Sequence, residues 1–219
     1  MIRALIFDFD GLILDTETPM FETWREIYDS HGCHIDFEKW VGNIGKGVDD
    51  FDPLTNLERL LGRQLDRERL DSTRRKRERA LVDVQPALPG VEDYLRDARR
   101  LGLKVGMATC SSKDWVVSHL RRLGLLKYFD CIQTAEDVHS LKPDPELYQK
   151  ALECLRVNPI QALAFEDSAH GIQAAKRAGL HCVFVPNPLI RHLPGNHADV
   201  RLVSLGDKPL EDLLRIIEA

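Results

Sequence analysis

A short apolar run near the start of the chain ends in two acids. Residues 3–17 read RALIFDFDGLILDTE: Ala4 to Phe7 are apolar, Asp8 follows at once, and Asp10 comes before Gly11 and a second apolar run. A run this short and rich in β-formers suits a buried strand rather than a helix. The acids then sit at the strand's carboxyl end, the edge at which open parallel sheets bind ligands. Two carboxylates at a buried strand tip are costly unless a metal ion or a lysine neutralises them. The rest of the chain has to supply both the burying strands and the cation.

From Pro86 onward, helical patterns alternate with short apolar strands. Val91 to Arg100 is amphipathic and ends at Gly102; LKVGMAT (103–109) reads as a strand, and Lys113 to Leu123 as a helix stopped by Gly124. FDCIQTA (129–135), ALAFED (162–167) and HCVFVP (181–186) read as strands, DVRLVSL (199–205) as a weak last strand. Pro145–Leu155, Ala169–Ala178 and Pro209–Ile217 read as helices. Such alternation predicts an α/β fold, a Rossmann-like parallel sheet with helices on both faces. Right-handed crossovers bring the tips at Asp8, Thr109, Ala135 and Asp167 to one edge.

Residues 18 to about 83 have a different texture, with helical patterns, interrupting glycines and no strand-like run. They read as a small inserted α-helical cap domain. The boundaries expected are 1–16 and 84–219 for the catalytic core and 17–83 for the cap, with hinges near Asp15–Thr18 and Val82–Pro89.

Composition narrows the class. The chain has 219 residues, 43% hydrophobic and 30% charged, with a net charge of −5, which argues against a nucleic-acid binder. No apolar run approaches a membrane span, and Asp8 and Asp10 interrupt what a signal peptide would need as its apolar centre. The five cysteines, Cys33, Cys110, Cys131, Cys154 and Cys182, are scattered and never spaced C-x-x-C. That pattern argues against a disulfide framework or structural zinc and for a reduced, cytoplasmic protein. A monomer is the expected state.

Four segments converge on the sheet edge: Asp8 and Asp10 after the first strand, Thr109 and Ser111 after the second, Lys142 in the loop LKPDPE, and Glu166 and Asp167 after the fourth. Each alone has a plain structural reading as a turn, cap or solvated residue. Together they suit phosphoryl transfer. Asp8 is a candidate nucleophile forming an acyl phosphate. Lys142, Thr109 and nearby backbone N–H groups suit a phosphate whose transfer depends on positioning and electrostatics. A hard divalent cation, Mg²⁺, suits Asp8 and Asp167 and lowers repulsion between carboxylate and phosphate. Asp10 is placed to protonate the leaving oxygen and then to activate water.

These motifs resemble those of the haloacid dehalogenase superfamily, in the helical-cap branch that includes β-phosphoglucomutase. DFDGLILDTE is similar to the first motif, ATCSS to the second, LKPDPE to the third and FEDSAHGIQAA to the fourth. The resemblance implies a Rossmann-like core, Mg²⁺ and an aspartyl-phosphate intermediate. It also implies a metal site of Asp8, Asp10 through its main-chain carbonyl, Glu166 and Asp167. Thr109, Cys110, Ser111 and Lys142 become the phosphate-binding set, although nothing requires the Cys110 thiol, which reads as packing. The second acid, Asp10, is absent from the family's dehalogenases and favours phosphoryl transfer. β-Phosphoglucomutases carry a histidine where this chain has Met20, and an arginine in the cap loop where VGNIGKGVDD offers only Lys46. Both departures favour hydrolysis of a small phosphorylated metabolite, sugar- or polyol-phosphate-like, over a mutase. Asp15, Thr16, Glu17 and Lys46 are the candidate hinge and cap contacts to substrate.

The basic run STRRKRERA (72–80) reads as a solvated face, or as a patch drawing anions toward the cleft. His31 and His34 read as surface or cap residues, and Trp24, Trp40, Trp115 and Phe9 as packing. A non-catalytic alternative is a phosphorelay receiver. Receivers place their acid pair on the first strand and carry no helical insert, whereas here the pair comes late.

Overall fold

The first apolar run does form a strand, β1 (Ala4–Phe7), buried along its whole length. It lies at the centre of a six-stranded parallel sheet in a computed structural model that describes residues 1–42, 51–192 and 197–219. The other strands are β2 (Lys104–Ala108), β3 (Cys131–Gln133), β4 (Ala162–Glu166), β5 (His181–Phe184) and β6 (Val200–Arg201), in the order β3-β2-β1-β4-β5-β6. Order reverses at β1, between β2 and β4, so the crevice expected of a doubly wound sheet opens above the end of β1.

Side chains on β1 alternate between two apolar layers. Leu5 and Phe7 join Val105, Met107, Leu163 and Phe165 under α5 (Val91–Arg100), α6 (Lys113–Arg122) and α9 (Leu210–Ile217). Ala4 and Ile6 join Ala108, Ala162, Ala164 and Cys182 under α7 (Glu146–Leu155) and α8 (Ala169–Arg177). Small residues on that second face let α7 and α8 approach closely. Burial on both faces explains why the strands read as continuous apolar runs rather than as alternating ones.

Between β1 and α5 the regular elements among the described residues are all helices: α1 (Glu17–Ser30), α2 (Phe37–Val41), α3 (Pro53–Leu61) and α4 (Arg67–Val82). They share a separate core of Phe21, Trp24, Tyr28, Trp40, Leu54 and Leu57. Asp52 and Asp66 cap α3 and α4 by accepting backbone N–H bonds. The two chain segments joining these helices to the sheet run side by side, with Leu14 bridged to Ala87 and Leu88 N donating to Ile13 O at 2.9 Å.

Three expectations are corrected. The third strand is three residues long, and Ala135 starts a 3-10 turn capped by Thr134 rather than a strand tip. The last strand spans two residues, Val200–Arg201, and the segment read as its end turns at Ser204, which caps a 3-10 turn over Leu205–Asp207. The cysteines are not all reduced: Cys131 of β3 and Cys154 of α7 form a disulfide, with Cα atoms 6.2 Å apart. A spacing of 23 residues hides this pairing, which arises because α7 packs directly across β3. Among the described residues, no helix is long and apolar enough to cross a membrane.

Candidate active site

Register builds the site. Phe7 is aligned with both Met107 and Phe165, so the next residues of all three strands emerge at one level. Asp8 N donates to Phe165 O at 3.0 Å, which extends the ladder one residue past β1 and aims the Asp8 side chain at the crevice. A cleft of about 640 Å³ lies above, lined on the sheet side by Asp8, Asp10, Thr109, Cys110, Ser111, Trp115, Lys142 and Asp167.

Lys142 is the hub. Its side chain is only 3% exposed, and Nζ donates to Asp8 Oδ1 at 2.8 Å and to Glu166 Oε1 at 2.6 Å. Glu166 Oε1 also accepts from the Tyr148 hydroxyl at 2.5 Å. Burial works against the Lys142 ammonium, but Asp8 and Glu166 outweigh it and hold its pKa above the usual lysine range. The loop that delivers Lys142 carries a cis peptide bond to Pro143.

Asp8, Glu166 and Asp167 are all buried, and one oxygen from each lies within 4.8 Å of the others. Burial raises all three pKa values, Glu166 to about 7, and repulsion from Asp8 adds to the effect at Asp167. Glu166 Oε2 is buried without a partner among the described residues. Three acids with one lysine leave a surplus of acidic groups in a buried site. This hard-oxygen set fits a divalent cation. Two glycines make the cluster possible. Gly11 has φ +72°, and a methyl group there would overlap Asp167 Oδ2; one at Gly171, in the first turn of α8, would overlap Glu166 Oε2.

Asp10 is set apart from that cluster. Its Oδ2 accepts from Ser111 Oγ at 2.5 Å and its Oδ1 from Trp115 Nε1 at 3.0 Å. The carboxylate therefore faces α6, and only its main chain is left for the metal role the resemblance implies. Thr109 Oγ1 accepts from Ser111 N at 3.1 Å, fixing the turn between β2 and α6. Cys110 is exposed in the cleft, not packed; desolvation raises its thiol pKa despite Lys142 nearby.

The remaining candidates divide. Thr16 and Glu17 line the cleft, and burial together with Asp10 and Asp8 raises Glu17 to about 8. Asp15 does not line it; its Oδ1 accepts from Thr18 N at 3.0 Å and turns the chain into α1. Lys46 lies outside the described residues. Part of the basic run leaves its solvated reading, since Arg74, Arg75 and Arg79 line the cleft.

Sequence reasoning missed three partners. Trp115, read as packing, holds Asp10. Tyr148 holds Glu166 from α7. Asn187, just beyond β5, donates Nδ2 to Asp167 Oδ2 at 2.7 Å. The signal for Asn187 was present, because β5 ends on the same edge as the other strands. Trp115 sits in the first turn of the helix that starts beside Ser111, which also pointed to the site.

Residues 5–185 match the family model described as haloacid dehalogenase-like hydrolase. The chain is 47% identical over 214 residues to the Bacillus subtilis (strain 168) protein named "Putative phosphatase YhcW", covering 98% of this chain and 97% of that protein. It is 30% identical over 187 residues to the phosphorylated carbohydrates phosphatase of Thermotoga maritima, covering 84% of each. Its fold is similar to a crystal structure of β-phosphoglucomutase from Clostridium difficile, with a TM-score of 0.75, 27% identity, and coverage of 100% of this chain and 98% of that one. With the strand order, the three-acid cluster and the shared lysine, these likenesses agree on one assignment: the chain belongs to the haloacid dehalogenase-like hydrolases, in the branch that includes β-phosphoglucomutase.

Proposed function

We propose that the chain is a Mg²⁺-dependent phosphatase that hydrolyses a small sugar- or polyol-phosphate-like monoester through an aspartyl phosphate on Asp8. The observation that carries this reading is Lys142 Nζ shared between Asp8 Oδ1 and Glu166 Oε1 at the floor of the cleft. It keeps a buried carboxylate oriented and partly neutralised at the point where an anionic ester must approach.

In the first step an Asp8 oxygen attacks phosphorus, the bond from phosphorus to the substrate oxygen breaks, and Asp10 gives that oxygen a proton. In the second, water attacks the phosphoryl group and passes a proton back to Asp10. The Asp8 carboxylate is released with inorganic phosphate. Thr109, Ser111 and the backbone around Cys110 hold phosphate oxygens, while Lys142 offsets their charge. Asp8, Asp167 and the Asp10 carbonyl, supported by Glu166, would hold Mg²⁺, which when bound supplies further charge neutralisation.

Residues 17–83 serve in this reading as a cap over a core of 1–16 and 84–219. Met20 lines the cleft and brings no group able to transfer a proton, which supports hydrolysis over a mutase. A cleft of about 640 Å³ suits a small metabolite. The Thermotoga relative's action on phosphorylated carbohydrates supports the substrate class. The receiver alternative is disfavoured by strand order, since receivers carry 2-1-3-4-5 and this sheet is β3-β2-β1-β4-β5-β6.

Turnover of p-nitrophenyl phosphate with and without Mg²⁺, in wild type and Asp8→Asn, tests the proposal. Expected are Mg²⁺-dependent turnover by wild type and loss of at least about a thousandfold in the variant. Wild-type rates in folded Asp8→Asn protein overturn it.

A further inference from the structure

The cleft wall facing the acids belongs to α4, the helix of the basic run. Arg74, Arg75 and Arg79 all line the cleft, yet each has an acid partner. Arg74 pairs with Glu78 and, at 3.3 Å, with Asp71; Arg75 pairs with Asp71 at 2.7 Å; Arg79 lies 3.9 Å from Asp83. Arg74 is also held over the Trp24 ring at 5.1 Å, with its side chain 9% exposed. This wall is a set of ion pairs rather than a block of free positive charge.

Two carboxylates lining the cleft beside these arginines have capacity left. Glu78 is buried and uses Oε2 on Arg74, while its Oε1 accepts no hydrogen bond among the described residues. Glu17 lines the cleft from the start of α1 and accepts none among the described residues either. Burial raises its pKa, and Asp10, Asp8, Asp15 and Glu78 add to that. The unpaired oxygens of both face the cleft, where a carboxylate accepts from a hydroxyl and a protonated carboxyl exchanges hydrogen bonds with one, so either form suits a neutral group that both donates and accepts. An ammonium would serve, but three arginines on the same wall repel one. Neutral hydroxyls serve without that repulsion, and Arg74 beside them is a fixed donor.

We infer that Glu17 and the Glu78–Arg74 pair form the subsite for the hydroxyl-bearing end of a polyol or sugar monophosphate whose phosphorus lies over Asp8. The inference rests on the phosphatase reading and adds what the far end of the cleft selects. A second phosphate at that end would sit against Glu17 and Glu78, and recruiting Arg74 to it would strand Glu78 buried and unpaired; Arg75 and Arg79, exposed beside it, are the groups that would draw such a phosphate, which the bisphosphate arm of the test reads.

The test compares kcat/KM for glucitol 6-phosphate with that for ethyl phosphate, in wild type, Glu78→Gln and Glu17→Gln. Both esters release an alkoxide, so the ratio isolates the hydroxyls. The ratio is expected at about a hundredfold or more in wild type and about tenfold lower in each variant, with the loss mainly in KM. A ratio unchanged in both variants at wild-type melting temperature overturns the inference. So does a wild-type preference for fructose 1,6-bisphosphate over glucitol 6-phosphate. If Glu78→Gln melts well below wild type, the ratio in Glu17→Gln decides, since Glu17 carries no ion pair among those described. A wild type that turns over p-nitrophenyl phosphate but shows no such ratio loses only this inference. One that turns over no ester loses the phosphatase reading as well.

Discussion

Trp115 Nε1 donates to Asp10 Oδ1 at 3.0 Å, tying the proposed acid–base group to the first turn of α6. The same helix also grips the segment leaving α4, because Arg122 donates to Gln85 O at 2.8 Å and to Val82 O at 3.3 Å. The Asp10 carboxylate is thus aimed by a rigid element rather than by its own loop. Trp115→Phe removes one donor while keeping an aromatic ring. Its kcat on ethyl phosphate should fall about tenfold, and less on p-nitrophenyl phosphate, whose leaving group departs without a proton. Equal losses on the two esters would assign Trp115 a purely structural part.

In the proposed mechanism the Asp8, Glu166 and Asp167 cluster holds Mg²⁺, and an ion held only by the folded chain stabilises it. At pH 8, millimolar Mg²⁺ should raise the wild-type melting temperature by several degrees. Asp167→Asn should abolish that rise, yet melt no lower than metal-free wild type. The change removes an acid whose pKa burial and the charges of Asp8, Glu17 and Glu166 raise, while the new amide oxygen can still accept from Asn187. Differential scanning fluorimetry with Mg²⁺ and with EDTA reads both effects.

Glu17 gives stability a sign that pH reveals. Burial raises its folded-state pKa from 4.5 to about 8, so the fold favours its protonated form. Stability from this group is complete below pH 4.5 and is lost as pH rises toward 8. In metal-free buffer, Glu17→Gln should therefore gain on wild type between pH 5 and pH 8, by on the order of 2 kcal/mol. Urea melts at the two pH values measure the difference, and a constant gap would contradict the assigned burial.

Gly171 reverses an ordinary helix rule. Glycine to alanine inside a helix is usually worth about 1 kcal/mol of added stability. Here the new methyl group overlaps Glu166 Oε2, while Oε1 of the same carboxylate is held by Lys142 and Tyr148. Gly171→Ala should lose about 2 kcal/mol and also weaken the Mg²⁺-dependent rise in melting temperature. Thermal unfolding with and without Mg²⁺ checks both.

Much of the architecture is legible in the sequence because burial on both faces gives short apolar strands and single-face burial gives amphipathic helices. α5 has the bounds its periodicity predicts, Val91–Arg100. The conjunction of Asp8, Lys142 and Asp167 was legible because all three follow strand ends on one edge. Side-chain pairing between segments remote in sequence was not. Cys131 and Cys154 meet only because α7 crosses β3, and Trp115 meets Asp10 only because α6 starts beside Ser111. In α4 the mean composition is so polar that its inward face leaves no apolar stripe. Only Glu78 and Val82 are buried there, and an ion pair in place of a hydrophobe conceals which arginines turn toward the cleft.

Lys142 meets Asp8 across 134 residues of chain, and Asn187 reaches Asp167 only after β5 has been laid down. The ribosome must therefore finish most of the sheet before the floor of the cleft exists. A nascent chain displays Asp8 and Asp10 early but lacks the Lys142 and Asn187 partners that complete the floor. The floor of the cleft is therefore closed only when late-made segments of the chain fold back on its earliest ones.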